Sequence, residues 1–372
     1  MFAATVLKPL ESWKKEGNLR VCVGIDIGGS GFRTRLSNAL DATEFLDLAH
    51  IRAQGTAELI ESFNSLQFAL LDMYPDLQSV GAALAVAGPI KDGVVILTNW
   101  PGDASLRTLR VTDLPEKLFP HDKTLLLNDL EAGAYGIVAA NDSKILPKYF
   151  EQMWPQVAPR GDIVSTGRTA VLAMGSGFGV ALIVHPATST QPIVLPTELG
   201  HLQIALDGQK HPNYELEKEL LQHVSDYYYD GTHAPEYEDI SSGRGLCLAY
   251  QYMKIKFDNE RLPIERIDGG QVAELARQGD KAARQALTWH YLLFLRAAKA
   301  IATTLCCDSV VMALDNQVKN AWFVNAISDQ LKDEFYHWIR PDWLNGIRVY
   351  TQTEVLNFNI LGTDYMAHRL AA

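Results

Sequence analysis

The sequence predicts a mixed α/β protein, and three observations support this fold class. The chain has 372 residues, enough for about two domains of the usual ~150 residues. The tetrapeptide GSGF occurs twice, at residues 29–32 and 175–178, and apolar stretches flank each copy, as in two strands joined by a tight turn. Elsewhere, apolar runs typical of strands alternate with runs at helical spacing. This alternation favours mixed α/β layers over a β-sandwich or a helix bundle.

The first half is predicted to form one α/β unit. Residues 21–36 give the first glycine hairpin, and residues 56–74 give a helix whose apolar side chains recur at helical spacing. Residues 81–100 give two more strands, joined through the Gly88-Pro89 and Asp92-Gly93 turns. A strand that ends at Asn128 is then followed by an alanine-rich helix.

The second half repeats this order of elements. We expect, in sequence, an inserted proline-containing loop at 141–168, the second glycine hairpin at 169–184, a strand and loop at 191–206, a long helix at 279–306, a strand at 309–318 and a closing helix near 362–370.

Composition excludes several classes of function. The net charge of −11 argues against a nucleic-acid partner, because phosphate backbones are bound by clustered Lys and Arg. The four cysteines show neither metal-ligand spacing nor a disulfide framework. The N-terminal segment lacks the apolar core of a signal peptide, and no apolar segment reaches the ~20 residues of a membrane helix. We therefore expect a soluble, cytoplasmic protein with no membrane partner.

The two glycine turns have two possible explanations. Each is either a plain hairpin turn or a phosphate grip, since glycine lets a phosphate approach successive backbone N–H groups. A Walker A loop is excluded because the sequence has no Gly-Lys pair, and the second turn runs into a strand rather than the helix of a dinucleotide fingerprint. Asp26, just ahead of the first turn, either caps that turn or holds a hydrated Mg²⁺.

Longer motifs resemble a known family. The stretch "GIDIGGSGFR" resembles the first phosphate motif of the sugar kinase, heat-shock chaperone and actin superfamily, and "GSGFG" resembles the second. Four further stretches, "AGPIKDGVVILTNW", "LLLNDLEAGAYG", "TELGHL" and "EDISSGRGL", resemble glucokinases of the bacterial type, and residues 314–316 resemble the protist members. The resemblance covers about residues 21–320.

The resemblance implies both a fold and an activity. The implied fold is two-lobed and ribonuclease H-like, of the actin and hexokinase type, with an ATP and sugar cleft between the lobes. Residues 1–140 with 355–372 would form the small α/β domain, and residues 141–354 would form the large one. The implied activity is ATP- and Mg²⁺-dependent phosphorylation of glucose at O6 to glucose 6-phosphate, the first step of glycolysis, by a cytoplasmic homodimer.

The resemblance also assigns roles to individual residues. Asp129 would be the general base, and hydroxyl-binding groups would line the glucose site: Asn99, Asn128, Asp129, Glu198, His201 and Glu238. The nucleotide site would comprise Asp26, Gly28, Gly29, Ser30, Arg33, Gly175, Ser176, Gly177, Asp315 and Asn316, with Asp26 holding Mg²⁺ through water. On local grounds alone, Asn128-Asp129 is equally a helix N-cap, and Glu198 and His201 are a surface acid and a satisfied histidine.

Some residues depart from the family pattern, and two alternative functions stay open. Ser30 and Ser176 stand where Thr is commoner, and Leu314-Asp315-Asn316 stands where many bacterial members have a Gly-Gly pair near the adenine. Nucleotide preference is therefore less fixed than sugar preference. The alternatives are an actin- or chaperone-like ATPase, which does not need the sugar-binding set, and a catalytically silent sugar sensor of the same fold.

Overall fold

The computed structural model describes residues 4–14 and 19–372. Contacts between Cα atoms divide the chain into two compact units. Unit 1 comprises the described residues up to Leu146 together with Asn357–Ala372, and unit 2 is Pro147–Leu356. The boundaries predicted from the sequence lay at 140/141 and 354/355.

The secondary-structure elements follow in chain order. The part that begins unit 1 contains α1 (Ala4–Leu7), β1 (Leu19–Gly28), β2 (Gly31–Asn38), β3 (Asp41–Ile51), α2 (Thr56–Met73), β4 (Leu77–Val86), β5 (Ile90–Lys91), β6 (Val94–Ile96), α3 (Ala104–Arg107), β7 (Thr108–Arg110), β8 (Thr124–Asn128) and α4 (Asp129–Asp142). The next part contains α5 (Leu146–Tyr149), β9 (Phe150–Gln152), β10 (Gly167–Met174), β11 (Phe178–His185), β12 (Ile193–Thr197), α6 (Tyr214–Tyr229), α7 (Gly243–Asp258), α8 (Gly269–Arg277), α9 (Lys281–Thr304), β13 (Ser309–Ala313), α10 (Asp315–Lys319), α11 (Ala321–Ala326), α12 (Ser328–Tyr336), α13 (Pro341–Leu344) and β14 (Arg348–Gln352). The last helix, α14 (Phe358–Ala371), returns to unit 1.

The main sheet of unit 1 has the strand order β3-β2-β1-β4-β8. The strands β3, β2 and β1 pair antiparallel, whereas β1, β4 and β8 run parallel. In this register Asp26 pairs with Ala85, and Val86 pairs with Asn128. The parallel strands thus end at one edge of the sheet, where Asp26 and Asn128 both lie. Ligand-binding groups of open α/β sheets are commonly found at this edge.

The sheet of unit 2 has the order β12-β11-β10-β13-β14-β9, and its first five strands repeat the same arrangement. The strands β12, β11 and β10 are antiparallel, and β10, β13 and β14 are parallel. Ala173 pairs with Ala313, so the second glycine turn and Leu314 follow directly at the carboxyl edge. The mixed α/β class predicted from the sequence is confirmed.

Within unit 1, helix α14 packs so closely against α4 that the backbones of the two helices approach each other directly. A Cβ atom added to Gly136 of α4 would lie 2.0 Å from the Phe358 carbonyl oxygen, and one added to Gly362 would lie 1.8 Å from the Ala132 carbonyl oxygen. Glycine is therefore required at both positions. The facing helices can approach closely only because these side chains are absent.

Unit 2 is organised around α9, most of which is buried. Arg296 in the middle of this helix is buried and donates hydrogen bonds to the carboxylates of Glu217, Asp207 and Glu334. It also donates to the Ala205 carbonyl oxygen at 3.1 Å. A buried charge needs such partners, because desolvation would otherwise disfavour it strongly. Arg296 thereby anchors the chain around residues 205–207 to the core of the unit.

Two elements differ from the prediction. The strand expected over 309–318 ends at Ala313, because Leu314 has φ of +90° and its N–H donates to the Gln352 side chain instead of a neighbouring strand. Helix α10 follows at once. The loop expected at 141–168 contains α5 and the short edge strand β9, which pairs antiparallel with β14. In the part of the chain that the structure describes, no helix is long and apolar enough to cross a membrane.

Candidate functional site

The first glycine turn, between β1 and β2, is held in a conformation that only glycine tolerates. Gly31 has φ of +140°, and a Cβ atom there would lie 2.0 Å from the Ile51 carbonyl oxygen. The preceding residues of the turn, Gly28, Gly29 and Ser30, are exposed. This turn therefore presents backbone groups to solvent on a fixed frame, as a phosphate-binding turn requires.

Asp26 lies at the end of β1 beside this turn and is buried. Its two carboxylate oxygens accept hydrogen bonds from the side-chain amides of Asn357 at 2.7 Å and Asn359 at 3.2 Å. Arg33 lies 3.5 Å from the same carboxylate. A buried carboxylate with this support keeps a fixed orientation, and its remaining lone pairs can accept from metal-bound water. Among the described residues, no group of three or more His, Cys, Asp or Glu could enclose a metal directly.

Asn99 and Trp100 lie next to the first glycine turn. The Trp100 indole N–H donates to the Gly28 carbonyl oxygen at 2.9 Å, and the Asn99 backbone lies against Gly29, 3.5 Å from where a Cβ would stand. Trp100 is buried, whereas Asn99 is exposed. The buried indole therefore fixes the position of the exposed amide beside the turn.

Asn128 and Asp129 mark the junction of β8 and α4. Asn128 is the N-cap of α4, and its side-chain oxygen accepts from Leu130 N–H at 3.0 Å. Glu131 completes a capping box by accepting from the Asn128 N–H at 3.3 Å. Burial raises the pKa of the Glu131 carboxyl to about 7, and the hydrogen bond from Asn128 opposes this only in part. Asp129, the first helical residue, is half-buried, and its carboxylate accepts from Leu130 N–H at 2.9 Å. The positive end of the helix favours the ionised form of Asp129.

In unit 2, the second glycine turn lies against Glu238. The Glu238 carboxylate accepts from Phe178 N–H at 2.8 Å, and a Cβ atom added to Gly177 would lie 2.6 Å from that carboxylate. Gly177 is thus required for the approach of the acid. The structure brings together Gly177, predicted to bind phosphate, and Glu238, predicted to bind sugar.

The side chains of Glu198 and His201 lie close together in the same unit. His201 Nδ1 lies 2.6 Å from the Glu236 carboxylate, and its Nε2 lies 4.0 Å from that of Glu198. Burial lowers the pKa of His201, but the hydrogen bond to Glu236 and the charges of Glu238, Glu236 and Glu198 outweigh it and raise that pKa above its ordinary value. This arrangement offers both hydrogen-bond donors and acceptors to a polyhydroxylated ligand.

A cavity of about 570 Å³ opens beside the second glycine turn within unit 2. Its walls come from the turn, the start of α7, the start of α8 and the region of α10 and α11: Met174, Gly175, Ser176, Gly243, Arg244, Leu246, Cys247, Ile267, Asp268, Gly269, Gly270, Ala273, Glu274, Arg277, His290, Asn316, Lys319, Asn320 and Trp322. Its mixed apolar and polar walls and its size are typical of small-molecule sites.

The amino end of α7 faces this cavity. The Gly243 N–H donates to the Gly175 carbonyl oxygen at 2.9 Å, which ties the helix to the glycine turn. Arg244, the next residue, lies 3.6 Å from the Glu238 carboxylate and is largely exposed. A helix N-terminus and a guanidinium both favour an anionic ligand.

Of the neighbouring residues Asp315 and Asn316, only Asn316 lines the cavity. Asn316 lines the cavity, and its side-chain amide donates to the Met174 carbonyl oxygen at 3.2 Å. Asp315, the first residue of α10, lies outside the cavity lining in the described chain. The helical turn that begins at Asp315 is what presents Asn316 to the cavity.

Sequence reasoning missed several residues of these clusters: Trp100, Asn357, Asn359, Glu236, Arg244 and Asp268–Gly270. The sequence signals for these residues were weak. Trp100 and Arg244 lie inside motifs whose pattern points to other residues. Asn357 and Asn359 reach Asp26 only because α14 returns to unit 1. Glu236 is recognisable only once the chain brings it to His201.

A family model and two full-length relatives identify the same family. The family model for glucokinase matches residues 23–313. Glucokinase 1 of Trichomonas vaginalis is 53% identical over 371 residues, covering 100% of this chain and 99% of that protein. A probable glucokinase 2 of the same organism is 52% identical over 373 residues, with the same coverage.

Two solved structures show the fold. The crystal structure of glucokinase from Balamuthia mandrillaris in complex with glucose has a TM-score of 0.87 and 33% identity, covering 98% of this chain and 97% of that one. The Leishmania braziliensis glucokinase structure has a TM-score of 0.81 and 25% identity, covering 99% and 97%. The fold is therefore the mixed α/β fold of the sugar kinases. More narrowly, the chain is an enzyme that belongs to the glucokinase family.

Proposed function

We propose that the chain transfers the γ-phosphoryl group of ATP to O6 of glucose and forms glucose 6-phosphate. The names of the full-length relatives support a glucose kinase. The geometry that carries the proposal is the hydrogen bond between Phe178 N–H and the Glu238 carboxylate. It joins the turn to which we assign phosphate binding and the acid to which we assign sugar binding. A kinase needs both groups, whereas an ATPase without a sugar substrate does not need the second.

Asp129 is the general base of this proposal. Phosphoryl transfer to an alcohol requires a group that orients the hydroxyl and accepts its proton as the bond to phosphorus forms. The hydrogen bond from Leu130 N–H and the amino end of α4 keep the Asp129 carboxylate ionised. The proton leaves the sugar hydroxyl for this carboxylate, and the hydroxyl oxygen becomes the nucleophile. Asn128 caps the helix and so fixes the backbone from which Asp129 extends.

The remaining polar groups orient the sugar. A hexose presents several hydroxyls, each both donor and acceptor, and a buried hydroxyl without a partner is unfavourable. Glu198 and Glu238 accept, His201 donates or accepts, and Asn99 does both. In this proposal Asn128 and Asp129 contact the sugar as well.

The nucleotide is bound by two sets of groups. The cavity beside Gly175 and Ser176, with Asn316 in its wall, accommodates the nucleoside, and the start of α7 with Arg244 favours its phosphates. We also propose that Gly28, Gly29, Ser30 and Arg33 contact phosphate.

The residues around Asp26 fit a magnesium ion that is held through water. The two amide donors fix the carboxylate and leave lone pairs for metal-bound water. Bound there, Mg²⁺ would neutralise charge on the nucleotide phosphates. We further propose a homodimer in the cytoplasm, a role in the first step of glycolysis, and membership of the superfamily that includes actin and the heat-shock chaperones.

The experiment that tests the function is a coupled assay of ADP formation across hexoses. Glucose is expected to raise ADP formation well above the rate with ATP alone, because the hydroxyl acceptor is then present. ATP hydrolysis that is independent of sugar would favour an actin- or chaperone-like ATPase. Glucose binding without turnover would favour a sugar sensor.

A further inference from the structure

Glu236 has no role in the sugar-binding set predicted from the sequence, yet its carboxylate lies 2.6 Å from His201 Nδ1. We propose that Glu236 is a positioning and specificity residue of the sugar site. It fixes the imidazole so that Nε2 is the atom offered to the sugar, and the site then requires a group at that point which both accepts and donates a hydrogen bond. This inference rests on the proposed function, because it takes His201 as a sugar ligand.

The hydrogen bond to Glu236 defines which ring nitrogen carries a proton. An ionised carboxylate only accepts hydrogen bonds, so Nδ1 of His201 must be the protonated nitrogen. Nε2 is then the remaining polar atom of the ring. Glu236 therefore selects the tautomer and the rotation of the imidazole together.

The charges around His201 favour its cationic form. The carboxylates of Glu198, Glu236 and Glu238 act on the imidazole. A positive charge also lies near these carboxylates, because the Arg244 guanidinium is 3.6 Å from Glu238. Opposite charges within about 4–6 Å stabilise an ionised group. A cationic His201 is an Nε2–H donor toward the sugar.

The gap between Nε2 and Glu198 suits a hydroxyl. His201 Nε2 and a Glu198 carboxylate oxygen are 4.0 Å apart. A hydroxyl oxygen beside them can therefore lie about 2.8 Å from both atoms. A hydroxyl there accepts from Nε2–H and donates to the Glu198 carboxylate. A hydrogen atom in its place leaves both protein groups unpaired, and an ammonium group has no lone pair and meets a cation.

The backbone holds Glu236 firmly enough for this role. Its N–H donates to the Asp239 carboxylate at 2.8 Å, and that carboxylate also accepts from the Tyr229 hydroxyl at 2.8 Å. Gln203 pairs with Glu236 as an antiparallel bridge, which links it to the segment just after His201. The two side chains therefore sit on adjoining, mutually bonded segments.

The test compares Glu236→Gln, His201→Gln and a matched control, Glu215→Gln, in the full-length protein. Glu215 is an exposed glutamate of α6 whose recorded partner is Lys218 at 3.8 Å. Glucose KM and kcat are measured from about pH 5.5 to 8.5, and the His201 pKa is measured by NMR of the imidazole. In the original protein, glucose KM should rise as the pH passes upward through the His201 pKa, because the donor proton is lost.

Glu236→Gln removes one of the charges that raise the His201 pKa. We expect that pKa, and the rise in KM with it, to move down by about one pH unit. Glucose KM near neutral pH should rise about tenfold, the usual loss for one charged hydrogen bond, with a smaller change in kcat. Among the monodeoxyglucoses, the one that lacks the hydroxyl between Nε2 and Glu198 should bind poorly to the original protein. Its affinity should fall no further in Glu236→Gln. Glu215→Gln should match the original protein.

Two contrary results are distinguishable. If His201→Gln weakens glucose binding while Glu236→Gln leaves the KM profile and the His201 pKa unchanged, Glu236 has no positioning role and the proposed function stands. If His201→Gln leaves glucose KM unchanged, His201 is not a sugar ligand, and both this inference and that part of the proposed site are wrong. Thermal melting verifies that each variant is folded.

Discussion

The two glycine turns share the residues Gly-Ser-Gly-Phe but differ in what surrounds them. In unit 1 the turn is locked by Gly31 against Ile51 and has Asp26 beside it, held by two asparagine amides. In unit 2 the corresponding turn contacts the Glu238 carboxylate and the start of α7, and it opens onto a cavity. The same tetrapeptide thus lies beside a buried aspartate in one unit and against a glutamate in the other.

This difference teaches that the neighbours of a glycine turn decide its function. Both turns leave a parallel strand at the carboxyl edge of a sheet with the same strand arrangement. What differs is the residue that each missing side chain admits: a backbone carbonyl at Gly31 and a carboxylate at Gly177. Substitutions in the two units should therefore have different effects.

The largest expected effect comes from Asp129→Asn in unit 1. Asparagine retains most hydrogen bonds but cannot accept the proton, so kcat should fall by roughly 10²–10⁴-fold. Because Asn128 is the N-cap of α4, the helix and the melting temperature should change little. Rapid-quench measurement of the chemical step verifies the loss, and a folded variant that keeps more than about a tenth of the original kcat would show that Asp129 is not the base.

The substitution chosen for comparison in unit 2 is Glu198→Gln, which should affect binding instead. A hydrogen bond to a charged acceptor is lost or weakened, so glucose affinity should fall tenfold or more, or ~1.4 kcal/mol per decade. Titration calorimetry gives this affinity directly. Unchanged affinity would remove Glu198 from the site.

The next effect compares stability at the two turns. Gly31→Ala places a Cβ at 2.0 Å from a carbonyl oxygen in a backbone conformation with positive φ, so it should lower the free energy of unfolding by at least about 3 kcal/mol. Gly175→Ala meets only the flexible Leu314 side chain at 3.5 Å and should change it by less than about 1 kcal/mol. Gly175 is the counterpart of Gly29 rather than of Gly31, so it serves here as a loosely packed glycine of the other turn. Urea unfolding measures both, and equal losses would contradict the tight packing described at Gly31.

A third comparison concerns Gly177→Ala. The added Cβ would lie 2.6 Å from the Glu238 carboxylate, so the acid must move and its hydrogen bond to Phe178 N–H must weaken. Glucose KM should rise about fivefold to tenfold, whereas Gly175→Ala should leave it near the original value. Steady-state kinetics at saturating ATP decide between them, and a rise with Gly175→Ala alone would reverse the assignment.

The smallest effect is a pH dependence of stability from Glu131. Its folded pKa is about 7, above the ordinary value near 4.3, so the folded state holds a proton that the unfolded state releases between these pH values. Raising the pH through this window therefore destabilises the original protein. Glu131→Gln lacks this pH-dependent contribution. The melting temperature of the variant minus that of the original protein should therefore increase by about 2–4 °C between pH 5 and pH 8. The exposed Glu61→Gln should show no such trend.

The sequence predicted the fold class because its signals were local. The helix at Thr56–Met73 buries Leu59, Phe63, Leu66 and Leu70, whose helical spacing predicted it. The strand β13 ended earlier than expected because a side chain, Gln352, rather than a neighbouring strand, accepts from Leu314 N–H. No local pattern in the sequence contains that information.

The candidate site was predicted where residues belong to contiguous motifs. Glu198 and His201 were found together because they are three residues apart, and the structure places them on one short turn. Glu236 lies 35 residues from His201 in sequence, and Asn357 lies 331 residues from Asp26. Such partners depend on how distant segments of the chain return to one another, which a single sequence does not reveal.

The path of the chain through the two units has a consequence for biosynthesis. Unit 1 includes α14, which follows all of unit 2 in sequence and carries the amide partners of Asp26. Domains generally fold as units as they are synthesised, but unit 1 must wait for its last helix until residues 147–356 have been made. We therefore expect the contiguous unit 2 to become resistant to protease first on the ribosome, and the acid beside the first glycine turn to reach its final orientation only after residue 359 has emerged.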